Sequence, residues 1–107
     1  MEPTTTPSTK SYSQVRSIPP RKWHVVLLDD DDHTYEYVIR MAQEIFGYSV
    51  ERGFQIAKAV DGEGRAICVT THRELAELRV EQIRAFGRDP LMLRSKGSMT
   101  AVLEPAD

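Results

Sequence analysis

The chain lacks the residues that would build a covalent, zinc-bound or membrane-spanning framework. It has one cysteine in 107 residues, Cys68, so no disulfide can form within it, and no cysteine–histidine spacing is typical of a zinc site. Cys68 stands inside an apolar run and is predicted to be a small core residue. No apolar stretch approaches the ~20 residues of a membrane span, and the first residues lack a signal-peptide pattern. We therefore expect a soluble, cytoplasmic protein.

The chain also lacks an excess of positive charge. Lysine and arginine total 14 against 16 aspartate and glutamate residues, which leaves a formal net charge of −2. Proteins that bind nucleic acids usually present a basic face to the phosphates. A nucleic acid is therefore not an expected partner. A membrane is not expected either, because no apolar run is long enough to span one.

Large apolar residues are scarce in residues 1–20, which are rich in Thr, Ser and Pro. Such a segment cannot bury enough apolar surface to offset the entropy lost on ordering, so residues 1–20 are predicted to be a disordered tail. Pro19 and Pro20 mark its end, because proline has a fixed φ and no backbone N–H. A single small domain is predicted over residues 21–107.

Six secondary-structure elements are predicted in this domain. An apolar, β-branched run predicts a strand over 23–28, and apolar residues at helical spacing predict an amphipathic helix over 35–46. Ser49 is a plausible N-cap for a second helix, and Thr71 with Glu74 has the spacing of a capping box for a third. The second helix is predicted over 50–60, followed by a turn over 62–64 and a strand over 65–70. The third helix is predicted to end at Gly87 and Pro90. A polar loop over 89–97 and a last strand over 98–104 complete the domain. The fold class is α+β, in the order β-α-α-β-α-β, with an at least partly antiparallel three-stranded sheet and three helices on one face.

Four consecutive carboxylates, at positions 29–32, follow the first strand. One of them, or Thr34, can cap the next helix, which is a purely structural explanation. A phosphoacceptor receiver domain also has Asp-Asp after its first strand, but the second strand here runs into Thr71 and His72 without the further aspartate that such a Mg²⁺ site needs. A Ca²⁺ or Mg²⁺ site stays open, although the EF-hand spacing is absent.

Clustered carboxylates also suit a positively charged group. A peptide's α-ammonium has three N–H donors, which need several acceptors in a small volume. His33, beside the aspartates, is expected to be a solvent-facing partner of a carboxylate, because no Ser or Cys nucleophile can be placed with it. No catalytic residue is predicted.

Several short motifs, in this order and spacing, resemble the ClpS family, the adaptors of the Clp protease. They are Pro19-Pro20, VVLL at 25–28, DD at 30–31, VI at 38–39, FGYSVE at 46–51, EGRAIC at 63–68, ELAE at 74–77 and LEPA at 103–106. The resemblance covers about residues 19–106. It implies the β-α-α-β-α-β fold, no catalysis and no cofactor. It also implies an adaptor that binds bulky hydrophobic N-terminal residues of substrate proteins and delivers them to the AAA+ unfoldase of the Clp protease.

The resemblance implies roles for individual residues. Asp29, Asp30 and Asp61 would hold the α-amino group of the peptide. Asp31 and Thr34 would support its backbone. The side-chain pocket would be formed by Leu28, Tyr35, Val38, Ala57, Val60 and Met99. On the third helix, Glu74 and Arg79 would meet the N-terminal domain of the unfoldase.

Three positions depart from the family pattern. Asp29 stands where the family usually has asparagine, and Asp61 where it has histidine, so a site that usually carries one carboxylate would carry three. Ala57 stands where many members have methionine. The smaller alanine side chain would open the pocket to larger or β-branched first residues. A second hypothesis therefore stays open, in which the ClpS-like domain has lost amine recognition. It would then be a protein-interaction or divalent-metal-binding module.

Overall fold

The computed structural model describes residues 21–30, 32–92 and 97–106. The elements are β1 (Lys22–Leu28), α1 (Tyr35–Phe46), α2 (Val50–Glu63), β2 (Arg65–His72), α3 (Arg73–Arg84) and β3 (Ala101–Pro105). This order confirms the predicted β-α-α-β-α-β arrangement. The tail predicted over residues 1–20 lies outside the described residues and stays a prediction.

The three strands form one sheet in the order β2-β1-β3, in which β1 pairs antiparallel with both neighbours. Leu27 of β1 is opposite Ala66 on one side and Ala101 on the other. The central position of β1 explains its apolar sequence, because Val25, Val26 and Leu27 have no solvent-exposed surface. The predicted α+β class is confirmed.

Both helices of the α1–α2 hairpin begin at a side-chain cap. Thr34 accepts a hydrogen bond from the backbone N–H of Tyr37 at 3.1 Å, and Ser49 accepts one from Arg52 at 3.1 Å. The Ser49 cap confirms the sequence prediction. The two helices approach so closely that a Cβ built on Gly53 would lie 3.0 Å from the Cα of Ile39.

The second helix is longer than predicted, because it continues through Gly62 to Glu63. Predicting a turn at these two residues was wrong. Glycine weakens a helix by only ~1 kcal/mol relative to alanine. The helix ends at Glu63, and its C-cap is Gly64, whose φ of 82° lies in the left-handed region.

The capping box predicted for the third helix is absent. Thr71 pairs with Trp23 as part of β2, which extends to His72. The N-cap of α3 is therefore His72, whose side chain makes no capping hydrogen bond. Pairing with β1 holds Thr71 in the sheet, and this long-range contact outweighs the local capping signal. α3 also ends earlier than predicted, at Arg84.

The last strand is shorter than predicted. It begins at Ala101, so residues 98–100 precede it. Thr100 still joins the sheet edge by accepting a hydrogen bond from the N–H of Leu28 at 3.0 Å. Cys68 is buried in the core, as predicted. Within residues 21–30, 32–92 and 97–106, no helix has the length and apolar character needed to cross a membrane.

Candidate functional site

A cavity of about 220 Å³ lies between the start of α1 and the second half of α2. Its wall comes from four parts of the chain: the loop after β1, the first residues of α1, the last turns of α2, and the segment before β3. The lining residues are Asp29, His33, Thr34, Tyr35, Val38, Ala57, Val60, Asp61 and Met99. The fold therefore brings Asp29 and residues 33–38 next to residues 57–61 and Met99.

The cavity has an apolar base and an acidic rim. Val38, Ala57, Val60 and Met99 are each at most 3% exposed and form the base. Asp29 and Asp61, in contrast, are exposed. An apolar side chain can bury itself at the base while a cationic group next to it meets carboxylates at the rim.

Most residues predicted for the site line this cavity, and two of the described ones do not. Leu28 and Asp30 lie outside the lining, and Asp31 is outside the described residues. Asp30 is turned towards its own loop, where its Oδ1 accepts a hydrogen bond from the N–H of Asp32 at 3.0 Å. Its contact with the cavity is therefore indirect.

Tyr35 joins the two helices across the rim. Its hydroxyl donates a hydrogen bond to Oδ2 of Asp61 at 2.8 Å. This hydrogen bond raises the pKa of the Tyr35 phenol above its ordinary value, and desolvation and the Asp61 charge add to the shift. The ring of Tyr35 meets that of Phe54 edge-on, with 5.6 Å between ring centroids.

His33 also lines the cavity, and its predicted exposure to solvent is wrong. Its side chain is only 3% exposed and packs against the ring of Tyr37, with 4.5 Å between ring centroids. Nδ1 lies 2.9 Å from Oδ1 of Asp30, so the expected carboxylate partner is present. Nε2 lies 2.7 Å from the carbonyl oxygen of Gly97 and donates to it, because a carbonyl can only accept. His33 therefore connects the acidic loop to the segment that carries Met99.

Asp89 is a site residue that the sequence analysis missed. Its side chain is fully buried. Oδ2 accepts a hydrogen bond from the N–H of Thr34 at 2.5 Å, and Oδ1 accepts one from the N–H of Leu91 at 2.8 Å. Burial alone would raise the pKa of Asp89, but the hydrogen bonds from Thr34 and Leu91 outweigh it and lower that pKa. Asp89 thus holds the N-cap of α1, which is part of the cavity wall.

The sequence contains a signal for one of the two Asp89 contacts. Asp89 precedes Pro90, and an Asp-Pro pair favours a turn in which the carboxylate accepts from the backbone two residues later. The contact with Leu91 is such a turn. The contact with Thr34 joins residues 55 positions apart, and no local pattern predicts it.

The two residues predicted for an unfoldase interface lie on α3, which does not contribute to the cavity lining. Glu74 is exposed in the first turn. Arg79 is half-buried and donates a hydrogen bond to Oε1 of Gln82 at 2.9 Å. A second, more open groove of about 720 Å³ runs between α3 and β3, and its wall includes Glu74, Glu77 and Glu81.

A divalent-metal site needs several carboxylate or imidazole ligands that converge on one point. Across residues 21–30, 32–92 and 97–106, no group of three or more His, Cys, Asp or Glu side chains is arranged to hold a metal ion.

Comparison with known proteins identifies the family. The family model described as ATP-dependent Clp protease adaptor protein ClpS matches residues 18–93. The chain belongs to the ClpS family. This confirms the family predicted from the sequence, whose members are adaptors of the Clp protease.

Individual relatives agree with this assignment. The ATP-dependent Clp protease adapter protein ClpS of Salmonella arizonae is 39% identical over 71 residues, which are 66% of this chain and 67% of that protein. The Escherichia coli adapter is 38% identical over the same length. Among solved structures, Agrobacterium tumefaciens ClpS2 bound to L-phenylalaninamide matches with a TM-score of 0.70 at 23% identity, covering 81% of this chain and 99% of that one. This last similarity supports the fold.

Proposed function

We propose that this ClpS family member is a non-enzymatic adaptor that binds the N-terminal residue of a substrate protein in the cavity and delivers the substrate to an AAA+ unfoldase of the Clp protease. The observation that carries the proposal is one small cavity with an apolar base and two carboxylates at its rim. An N-terminal residue presents the complementary groups, a side chain and an ammonium on the same Cα.

The base of the cavity suits a bulky apolar side chain. An apolar cavity of ~150 Å³ is large enough to bind benzene. The whole cavity, rim included, measures about 220 Å³, which accommodates a phenyl or branched aliphatic group at the base with an ammonium at the rim. Ala57 contributes to this space because its side chain is a single methyl group. The ligand named for Agrobacterium tumefaciens ClpS2, L-phenylalaninamide, carries a phenyl ring and an amine.

The rim suits the ammonium. The α-amino group has a pKa of about 7.7–8 and is mostly charged at pH 7, and hydrogen bonds between an ammonium and a carboxylate are stronger than neutral ones. Asp29 and Asp61 would accept directly. Asp30 would act through its negative charge and through His33. Thr34 and Asp31 are proposed for the peptide backbone.

The unfoldase would bind elsewhere. Glu74 and Arg79 are proposed to meet the N-terminal domain of the unfoldase on α3. Because α3 is not part of the cavity wall, the adaptor could hold a substrate and the unfoldase together. A cytoplasmic location is part of the same proposal.

The cavity is tested with peptides that differ only in the first residue, measured by fluorescence anisotropy. Peptides beginning with Leu, Phe or Trp should bind more tightly than one beginning with Ala. The Ala57→Met variant should weaken binding of a peptide that begins with β-branched Ile by about fivefold or more relative to the Phe peptide, since overpacking typically costs ~1–3 kcal/mol. Ala59→Met is the matched control, because Ala59 lies on the same helix beside a different surface groove. Affinities that do not depend on the first residue would refute this use of the cavity.

The unfoldase surface is tested separately with a purified unfoldase N-terminal domain. Glu74→Lys should weaken binding of that domain and leave peptide affinity unchanged. Glu51→Lys, an exposed first-turn glutamate of α2, serves as the control. Equal binding of the domain by Glu74→Lys and the unmodified protein would contradict the assignment.

A further inference from the structure

We propose that Tyr35 is a positioning residue that holds the Asp61 carboxylate at the rim of the cavity and so sets the affinity for the peptide's α-ammonium. The inference rests on the proposed function, since it concerns how the same cavity holds an amine. The observation behind it is the hydrogen bond from the Tyr35 hydroxyl to Oδ2 of Asp61 at 2.8 Å.

Asp61 needs such a partner because of where it lies. It is exposed near the end of α2, and an exposed side chain normally samples several rotamers. Binding an ammonium would then require ordering of the carboxylate, which costs free energy and lowers affinity. A carboxylate that Tyr35 already holds in one rotamer is ordered in the free protein, so binding does not incur this cost.

Tyr35 is itself held in place from three sides. It follows Thr34, the N-cap of α1, whose backbone N–H is bound by the buried Asp89. Its ring contacts the ring of Phe54 on α2, and its side chain packs against the hydrophobic core. The Tyr35 hydroxyl is therefore held in a fixed position, from which it can orient the Asp61 carboxylate.

The chemistry leaves room for the ligand. A carboxylate offers about four lone-pair positions, and the phenol uses one of them. The remaining positions can accept from an ammonium. The raised pKa of Tyr35 keeps the phenol protonated, and hence a donor, throughout the pH range in which an α-amine is charged.

The decisive variant is Tyr35→Phe, which removes the hydroxyl and keeps the ring against Phe54. Binding of a free-amine Phe peptide should weaken about three- to tenfold, the effect expected when binding must newly immobilise one side chain. The ranking of first residues should stay the same, because the base of the cavity is untouched. Tyr48→Phe is the matched control: the Tyr48 hydroxyl donates to the carbonyl of Cys68 at 2.7 Å, and its loss should leave peptide affinity unchanged.

A double-mutant cycle separates positioning from a general structural role. If Tyr35 acts through Asp61, Tyr35→Phe should have no further effect on affinity in an Asp61→Ala background. A second measurement needs no peptide: NMR titration of the Tyr35 ring carbon should give a lower phenol pKa in Asp61→Asn than in the unmodified protein.

The outcomes distinguish the two levels of the hypothesis. Unchanged affinity in Tyr35→Phe, or an equal loss with and without Asp61, overturns the role of Tyr35 while the proposed function stands. An unaltered Tyr35 titration in Asp61→Asn overturns it as well. If the unmodified protein binds no free-amine peptide, the proposed function falls and this inference falls with it.

Discussion

Replacing Asp89 with alanine should loosen the cavity wall and destabilise the whole domain. The Asp89 carboxylate is fully buried and accepts from the backbone N–H groups of Thr34 and Leu91. Alanine leaves both donors without this acceptor, and each unsatisfied buried donor costs ~1–3 kcal/mol. Because Leu91 is exposed, water can replace one acceptor. Since this replacement is partial, the loss should lie between the ~1–3 kcal/mol of one donor and the ~2–6 kcal/mol of two, at about 2–4 kcal/mol, against the ~5–15 kcal/mol typical of whole domains.

Asp89→Asn tests the role of the charge. The amide oxygen can accept one N–H, but the NH₂ group then faces the other donor, so a smaller loss of about 1–3 kcal/mol is expected. The Asp89 pKa is lowered in the folded state. The carboxylate therefore stabilises the fold above the unfolded pKa of 3.8, and this stabilisation is lost as the pH falls through the folded pKa. The difference between the protein and its Asp89→Asn variant should shrink below about pH 4.

Urea unfolding followed by circular dichroism at pH 7 and pH 3 measures both effects. Arg88→Ala is the control in the same loop, since Arg88 is exposed and its substitution should change stability by less than about 0.5 kcal/mol. Peptide affinity should fall in Asp89→Ala as well, because the loss of the hydrogen bond to the Thr34 N–H would leave Thr34 and the adjacent Tyr35 less well positioned. An Asp89→Ala variant as stable as Arg88→Ala would refute the reasoning.

The remaining predictions concern the glycines of α2 and the buried Cys68. Gly53→Ala should destabilise the domain by ~1–3 kcal/mol, because the new Cβ would meet the Ile39 backbone at 3.0 Å. Gly62→Ala, in an open part of the same helix, should instead stabilise it by up to ~1 kcal/mol; thermal melting of the pair checks both signs. Burial raises the pKa of the Cys68 thiol from 9.0 to about 12. The buried neutral thiol therefore contributes its full stabilisation of the fold below pH 9, and this contribution is lost as the pH rises towards 12, because the thiol ionises first in the unfolded chain. Between pH 9 and 11 the stability of the unmodified protein should therefore fall more steeply than that of Cys68→Ala, by up to about 1.4 kcal/mol per pH unit, as measured by urea unfolding.

The elements that the sequence predicted well are those specified by local patterns. The apolar run of β1 and the helical spacing of α1 were predicted with the correct boundaries or within one residue of them. Ser49 caps α2 as expected, because an N-cap depends on residues only three positions apart. Errors arose where a long-range contact competed with a local signal, as when pairing with Trp23 kept Thr71 in β2.

The candidate site divides in the same way. The resemblance to ClpS supplied most of the cavity lining, since each residue could be placed by its motif. The contacts that organise the lining join distant positions and were missed. Examples are Asp89 with Thr34 and Tyr35 with Asp61, which are 55 and 26 residues apart. Such pairs become visible only when the fold brings their elements together.

The central claim is that the cavity recognises a free α-amine, and its most direct test compares three peptides that differ only at that group. One begins with a free Phe, one with acetylated Phe, and one with the Phe analogue whose amine is replaced by a hydroxyl. In fluorescence anisotropy the free-amine peptide should bind at least about thirtyfold more tightly than the other two, since losing one partner of a charged, hydrogen-bonded pair costs ~2–5 kcal/mol. Combining Asp29→Ala with Asp61→Ala, which removes both rim acceptors, should reduce this preference by at least about tenfold, and the exposed Glu63→Gln should keep it. Equal affinity for all three peptides would contradict the account and favour the alternative of a ClpS-like domain without amine recognition.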